Sequence, residues 1–329
     1  MRTIQQQDLW RPRTAAEFAQ FFQTDLAPCL KACEQDRRKT AGNVLMLFAA
    51  LAILAAIAGM VVLSNVPNPL SLLFVALPAL AIAGVCYTLM TSGYRTRFKN
   101  NFIAQVVRFF GPDFEYEPSG YIGQERFEQC RIFQHHIDRY SGEDHIQGQA
   151  GKTAFECSEV HAQYKVRTKN GTHWYTIFKG LLFIADFNKY FNGTTLVLPD
   201  VAEAGLGWLG QKLQEMNFTR PGELVKLEDP EFERLFVVYS TDQVEARYIL
   251  SPSLMHRLVE FRHRVGHPAH LSFMHGSVFV AVDPGKNLLE PTIFSPINFE
   301  LAHASFQDLC FVLSIIEDLN LNTRIWTKQ

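Results

Sequence analysis

The sequence predicts an α+β membrane protein: a two-helix transmembrane hairpin followed by a cytoplasmic domain of antiparallel β-hairpins with interspersed helices. Three observations predict it. Residues 41–94 contain no Asp, Glu, Lys, Arg or His. Two apolar runs, 44–63 and 70–90, lie inside that stretch, joined by Ser64-Asn65-Val66-Pro67-Asn68-Pro69. Beyond it, strand-like runs meet at Asn170-Gly171 and at His275-Gly276, with helix-like periodicity in the segments around them.

Crossing the hydrocarbon of a bilayer takes roughly 20 apolar residues in a helix, and each run is about that long. Backbone groups in lipid must be satisfied within their own segment, so both runs are read as helices. The first run starts too far from Met1 for a signal peptide, and a second follows at once. Lys31, Arg37, Arg38 and Lys39 precede the first span, and Arg95, Arg97 and Lys99 follow the second, while the turn between them is uncharged. The positive-inside rule then puts both termini on the cytoplasmic side, with the turn on the other. Polar residues inside the spans are limited to Cys86, Tyr87 and a few hydroxyls, which argues against a transport route. Ala52/Ala56, Ala55/Gly59 and Ala79/Ala83 have the small-residue spacing that lets helices approach closely. Pro78 removes the hydrogen bond to the Phe74 carbonyl and predicts a kink.

Residues 1–40 form an N-terminal amphipathic arm. Within it, 14–39 read as a helix with the stripe Phe18, Phe21, Phe22, Leu26, bent or restarted at Pro28. After the second span the helix continues over 95–110, with Phe98, Phe102, Val106, Phe109 and Phe110 on one face, and ends at Gly111-Pro112. Such stripes expect a cover: the other flanking helix, a second copy, or another membrane protein. Phe98, Phe102 and Val106 are the predicted interaction residues.

The cytoplasmic domain covers 95–329, with the turn-rich segment 219–230 as the candidate boundary between two lobes. A helix is expected over 125–136 and a turn at Ser141-Gly142-Glu143-Asp144. Strands over 155–168 and 172–186 flank Asn170-Gly171, the sequence signature of a type I′ turn. That turn pairs Val166 with Tyr175 and Tyr164 with Ile177 on an apolar face. It pairs Arg167 with Trp174 and Lys165 with Thr176 on a mixed one, as in a sheet covered on one side. A further turn is expected at Asn192-Gly193, a helix over 202–216 and a buried strand over 235–240. Ser251 and Pro252 start a helix running to Val265. The second hairpin sets Phe273 against Val278 and Leu271 against Val280. Ser305 is the expected cap of a last helix over 306–319.

The formal net charge is −2, from 31 basic and 33 acidic residues, so the basic excess of a nucleic-acid binder is missing. The local basic clusters flank the spans, where they would meet anionic head groups. The 6 cysteines are scattered and the predicted topology puts them in a reducing compartment, so no structural disulfide is expected. Cys29 and Cys33 share a helix face but make half a metal site at most. Gly205-Leu-Gly207-Trp-Leu-Gly210 matches the dinucleotide-binding glycine pattern, yet no strand leads directly into it and Trp208 is bulky where phosphate must approach. His256, Glu260 and His263 share a helical face and are the metal-ligand candidates, opposed by the neighbouring Arg257, Arg262 and Arg264. No cofactor is expected, and no catalytic residue is identified.

Three stretches carry a family resemblance: Gly142-Glu143-Asp144 leading to Gly151-Lys152-Thr153; Phe178-Lys-Gly-Leu-Leu-Phe-Ile-Ala-Asp-Phe-Asn188 with Phe191-Asn-Gly193; and Phe232-Glu-Arg-Leu-Phe-Val-Val-Tyr-Ser240 with Asp242 and Glu245-Ala-Arg-Tyr-Ile-Leu-Ser251. With the preceding apolar pair, they resemble a bacterial family catalogued as domain of unknown function three thousand one hundred and thirty-seven. The resemblance implies a two-pass membrane protein, in some cases encoded near LemA-like membrane proteins, and implies no reaction. The favoured reading is a non-catalytic binding or scaffolding protein at the inner membrane, with the bilayer and a membrane protein or a second copy as partners and no nucleic acid. The alternative is a membrane-tethered hydrolase.

Overall fold

The computed structural model describes residues 11, 13–169, 171–200 and 222–322. The chain is α+β: an N-terminal helical region is followed by a nine-stranded antiparallel sheet. It divides into two compact units. One comprises Ala15–Val106 with Leu289–Phe306; the other comprises Met1–Thr14, Val107–Leu288 and Gln307–Gln329.

The helical unit begins with α1 (Ala15–Phe21), a π-helical turn (Phe22–Leu26) and α2 (Ala27–Asn65). The wide turn ends where Pro28 enters at the start of α2, because Pro28 has no N–H for the preceding turn. The helix expected over 14–39 is thus interrupted before Pro28, and α2 runs on through the whole first apolar run. A 3₁₀ turn (Pro69–Leu72) follows, opened by Asn68, whose Oδ1 accepts from the Leu70 N–H at 3.0 Å. α3 (Leu73–Phe98) contains Pro78, and a second π-helical turn (Lys99–Ile103) leads into α4 (Ala104–Phe110).

α2 and α3 touch along antiparallel courses. Asp36 meets Arg97 at 2.8 Å, the Phe48 and Tyr87 rings stack at 6.3 Å, and Gly59 lies against Leu72. Of the small-residue pairs, Ala55/Gly59 and Ala79/Ala83 fall on partly or fully buried positions, whereas Ala52/Ala56 face outward. The remaining apolar residues are bare: Phe74 is 82% and Met60 72% exposed.

The flanking aromatic stripes, which the sequence expects to need a cover, are covered within the chain. Phe98, Phe102 and Val106 are fully buried. Phe18 is buried and stacks on Phe306 at 4.5 Å. Five of the flanking basic residues, Arg37, Arg38, Arg95, Arg97 and Lys99, are ion-paired. Glu34 accepts a two-pronged bond from Arg37 at 2.7 and 2.8 Å, one from Arg38 at 2.8 Å and one from the Ile297 N–H at 3.0 Å. Arg37 also donates to the Ile293 carbonyl at 2.6 Å, and the buried Lys99 meets Glu290 at 2.8 Å.

The sheet has the order β1-β2-β3-β4-β9-β8-β5-β7-β6. Its strands are β1 (Glu115–Glu117), β2 (Arg139–Ala150), β3 (Thr153–Thr168), β4 (Gly171–Asp186), β5 (Thr194–Pro199), β6 (Glu223–Val225), β7 (Phe236–Ser240), β8 (Ala269–Met274) and β9 (Ser277–Val282). Three-residue strands close both edges, which limits pairing with other chains. Segments on both sides of 219–230 belong to this one sheet. The helices of this unit are α5 (Gln124–Gln129), α6 (Pro230–Leu235), α7 (Gln243–Ile249) and α8 (Pro252–Val265), and α9 (Phe299–Asp318) continues into it.

Several local expectations change. The helix expected over 125–136 is only α5, since Arg131 takes φ 55° and ends it. The expected turn at Ser141–Asp144 is instead strand β2 with a bulge at Asp144, φ 60°. α9 starts seven residues before Ser305's predicted span, after Asn298 caps it through the Leu301 N–H at 3.1 Å, and Ser305 donates back to the Leu301 carbonyl. α8 matches its prediction from Pro252 to Val265, closed by Gly266 at φ 72°. The expected helix over 202–216, with Gly205, Gly207 and Gly210, lies outside the described residues.

The second hairpin has the predicted register: Phe273 faces Val278 and Leu271 faces Val280. His275 and Gly276 both have positive φ, 50° and 73°, as a type I′ turn requires. The first hairpin does not. Thr168 pairs with Gly171, so the loop is residues 169 and 170, the latter outside the described residues. Tyr164 then faces Tyr175 and Val166 faces His173, two residues from the expected pairing, which keeps each side chain on its face. A bulge at Ala162/Gln163 lies between this tip and the buried pairing Ala162–Phe178. The sheet is also covered on both sides at its centre. Leu181 to Ala185 of β4 and nearly all of β8 and β9 are buried. One face packs Leu182, Ile184, Leu196 and Phe279 with Phe127 of α5; across the sheet Phe183 meets Phe155, and Phe155 meets Phe114.

Two outcomes follow. Gly171 has φ 133°, so Gly171→Val should destabilise the sheet unit by about 1–3 kcal/mol, measured by denaturant titration; an unchanged midpoint contradicts the strain. Arg37 holds the Glu34 carboxyl down to about 2. A lowered acid stabilises above its ordinary value and loses that contribution as pH falls. Glu34→Gln should therefore cost on the order of 1.5–3 kcal/mol at neutral pH. The gap from wild type in thermal melts should close as pH drops from the ordinary 4.5 towards about 2.

Candidate functional site

Two features of the sheet unit stand out, an open cleft and a projecting ribbon. The cleft is about 460 Å³ and is lined by β2, β3, β4 and the segment after β9, including Glu143, Glu159, His161, Lys179, Asp283 and Lys286. Its origin is the β2 bulge. Because Asp144 adopts φ 60°, a conformation that Asp tolerates better than most residues, the ladder brings Glu143 directly opposite Glu159. The carboxylates of Glu143, Asp144 and Glu159 all lie within 4.8 Å of one another. Like charges directly opposite in a ladder repel.

Other groups steady this arrangement. Asp144 is buried and accepts from the Tyr116 hydroxyl at 2.5 Å. Glu159 accepts from the Leu288 N–H at 2.5 Å. Lys286 pairs with Asp308 at 2.5 Å. His161, opposite Lys179, has its pKa lowered by burial and by the Lys179 and Arg139 charges, which favours neutral imidazole. The three carboxylates form a hard oxygen-donor set of the type that suits Ca²⁺ or Mg²⁺.

The ribbon is the outer part of β3 and β4. β2 stops pairing with β3 at Gln163, and β9 pairs with β4 only from Leu181. Residues 164–176 therefore form two strands with their faces largely open. Val166, Trp174 and Tyr175 are exposed by 36%, 39% and 41%. Arg139 lies over the Trp174 ring at 4.1 Å, and Tyr164 stacks between Tyr175 at 5.4 Å and His135 at 4.9 Å.

The residues singled out from sequence lie elsewhere. His256 and Glu260 are within 3.4 Å of each other on α8 and both are exposed, as is His263. Among the described residues they do not join a three-ligand group with His263; the cleft carboxylates do. Phe98, Phe102 and Val106 are core of the helical unit. Sequence reading missed the cleft because its carboxylates come from two strands; the signal available was Gly142-Glu143-Asp144 in a stretch read as a turn.

The family described as "Protein of unknown function (DUF3137)" matches residues 176–321, the family that the sequence resemblance indicated. The match takes in β4 through α9 and so includes Lys179, Asp283 and Lys286 of the cleft. No curated protein matches the chain. Among solved structures the chain is similar to the mycobacterial trehalose monomycolate transport factor A, TtfA. The TM-score is 0.30 and the identity 13%, over 67% of this chain and 96% of that one.

Proposed function

We propose that this is a two-pass membrane protein, with both termini on the cytoplasmic side of a bacterial inner membrane. Its sheet unit acts there as a binding or scaffolding module. The observation that carries the membrane part is the bare apolar surface of α2 and α3. Both are long and apolar enough to cross a membrane, and Leu54, Met60, Leu73, Phe74 and Leu80 are more than half exposed with no charged residue between 41 and 94. A monomer in water rarely carries a patch of that extent. α9 also has the length and composition of a span, but half of it is buried within the protein.

The ribbon supports the binding part. An isolated pair of strands is marginal in water, yet this one presents Trp, Tyr and Arg side chains, the types that dominate interface energetics. The partner it suits is a protein with an apolar surface and acidic groups to meet Arg139 and Arg167.

Two experiments test the reading. A single cysteine at Asn68 in a cysteine-free variant should react with a membrane-impermeant thiol reagent in intact cells, and one at Gln329 should not; the reverse pattern overturns the topology. A photocrosslinking residue at Tyr175 should capture a partner or a second copy in cells, and Trp174→Ala should abolish capture while leaving the thermal melt of the sheet unit within a few degrees. Capture unaffected by Trp174→Ala removes the ribbon from the proposal.

A further inference from the structure

We propose that Cys29 and Cys33, one turn apart on α2, form a binding site for a thiophilic metal ion of the zinc class. Four-residue spacing puts two ligands on one helical face, the arrangement that helical zinc sites use for their paired histidines. Here the two Sγ atoms already lie 3.9 Å apart. Two thiolates at about 2.3 Å around a tetrahedral ion are about 3.8 Å from each other. The pair therefore accepts an ion without movement of the helix. Thiolates select zinc and its soft relatives over Mg²⁺ and Ca²⁺, which prefer oxygen.

A second, independent observation points to a ligand at the same place. The cysteines open onto a cavity of about 320 Å³, shared with Asp36, Tyr94, Asn101 and Gln105. Tyr94 is only 1% exposed, and its hydroxyl has no hydrogen-bond partner among the described residues. A buried hydroxyl without a partner is costly. A water bound to the ion would supply the missing partner. The Gln105 side-chain oxygen and water are available for the ion's remaining positions. Asp36 is held by Arg97 at 2.8 and 3.1 Å, which fixes the wall of the cavity. Cys29 is the partly exposed member of the pair and gives an ion its way in, while Cys33 is buried.

The test uses the purified full chain in detergent, reduced, with Cd²⁺ as the probe. One equivalent should bind with the ultraviolet absorption of a thiolate–cadmium bond, and excess Zn²⁺ should displace it. The Cys29→Ser/Cys33→Ser double variant should lose that band and at least tenfold in affinity. A second measurement does not depend on the variant folding: Cd²⁺ should slow alkylation of Cys29 in the wild-type chain at least tenfold, read by peptide mass spectrometry, and leave Cys310 unaffected. Failure to bind a stoichiometric ion overturns the proposal. So does a band that survives in a folded double variant, and so does unprotected Cys29.

Discussion

The absence of any ionisable side chain between residues 41 and 94 is the constraint on which the rest depends. A chain that cannot place charge there satisfies its backbone internally, and helix covers both apolar runs, with Pro78 interrupting the hydrogen-bond ladder of α3. The ionisable groups are displaced to the ends of these helices, and there several of them are paired. Glu34 alone receives Arg37, Arg38 and the Ile297 N–H. Lys99, buried, is matched by Glu290. Removing one partner of such a pair costs more than the pair itself contributes, because a buried charge is left alone. The segment 289–306 is therefore as much a part of the helical unit as the helices that precede it in sequence, and its contacts with α2 and with residues 95–99 are polar and directional rather than merely apolar.

The sheet follows a different rule. Where both faces are covered, as in β9, alternation disappears and Val278–Val282 form a continuous apolar run. Where cover stops, the outer part of β3 and β4 turns polar and aromatic. Bulges manage the change. One at Ala162/Gln163 separates the buried pairing from the open ribbon, and one at Asp144 re-aims the end of β2 into the cleft.

This division explains what was legible. The apolar runs, the His275-Gly276 hairpin and α8 were readable because each is specified by neighbours in sequence: charge depletion, two residues that tolerate positive φ, a proline start with a glycine stop. Asn170-Gly171 misled because the register of β3 and β4 is set at their buried ends, where Ala162 and Phe178 sit in the core. The phenylalanine stripe of Phe98 and Phe102 was correctly read as needing a cover, but a stripe does not say what covers it, and here it is the chain itself. The cleft was illegible for a related reason. Glu143 and Glu159 are far enough apart in sequence that only the β2–β3 ladder makes them neighbours.

The cleft also differs in kind from the other acidic positions on the surface. A fold under selection for stability alone has no reason to set two glutamates directly opposite across a ladder and a third carboxylate beside them in a left-handed conformation. Both features are unfavourable, the first by like-charge repulsion and the second by backbone strain. Their retention is offset locally, by the Tyr116 hydroxyl on Asp144 and the Leu288 N–H on Glu159. These are bonds that orient carboxylate oxygens. A purely structural bulge would be served as well by serine or asparagine at Glu143. The cleft is thus the place where local cost and global fold disagree, and such disagreements concentrate at functional sites.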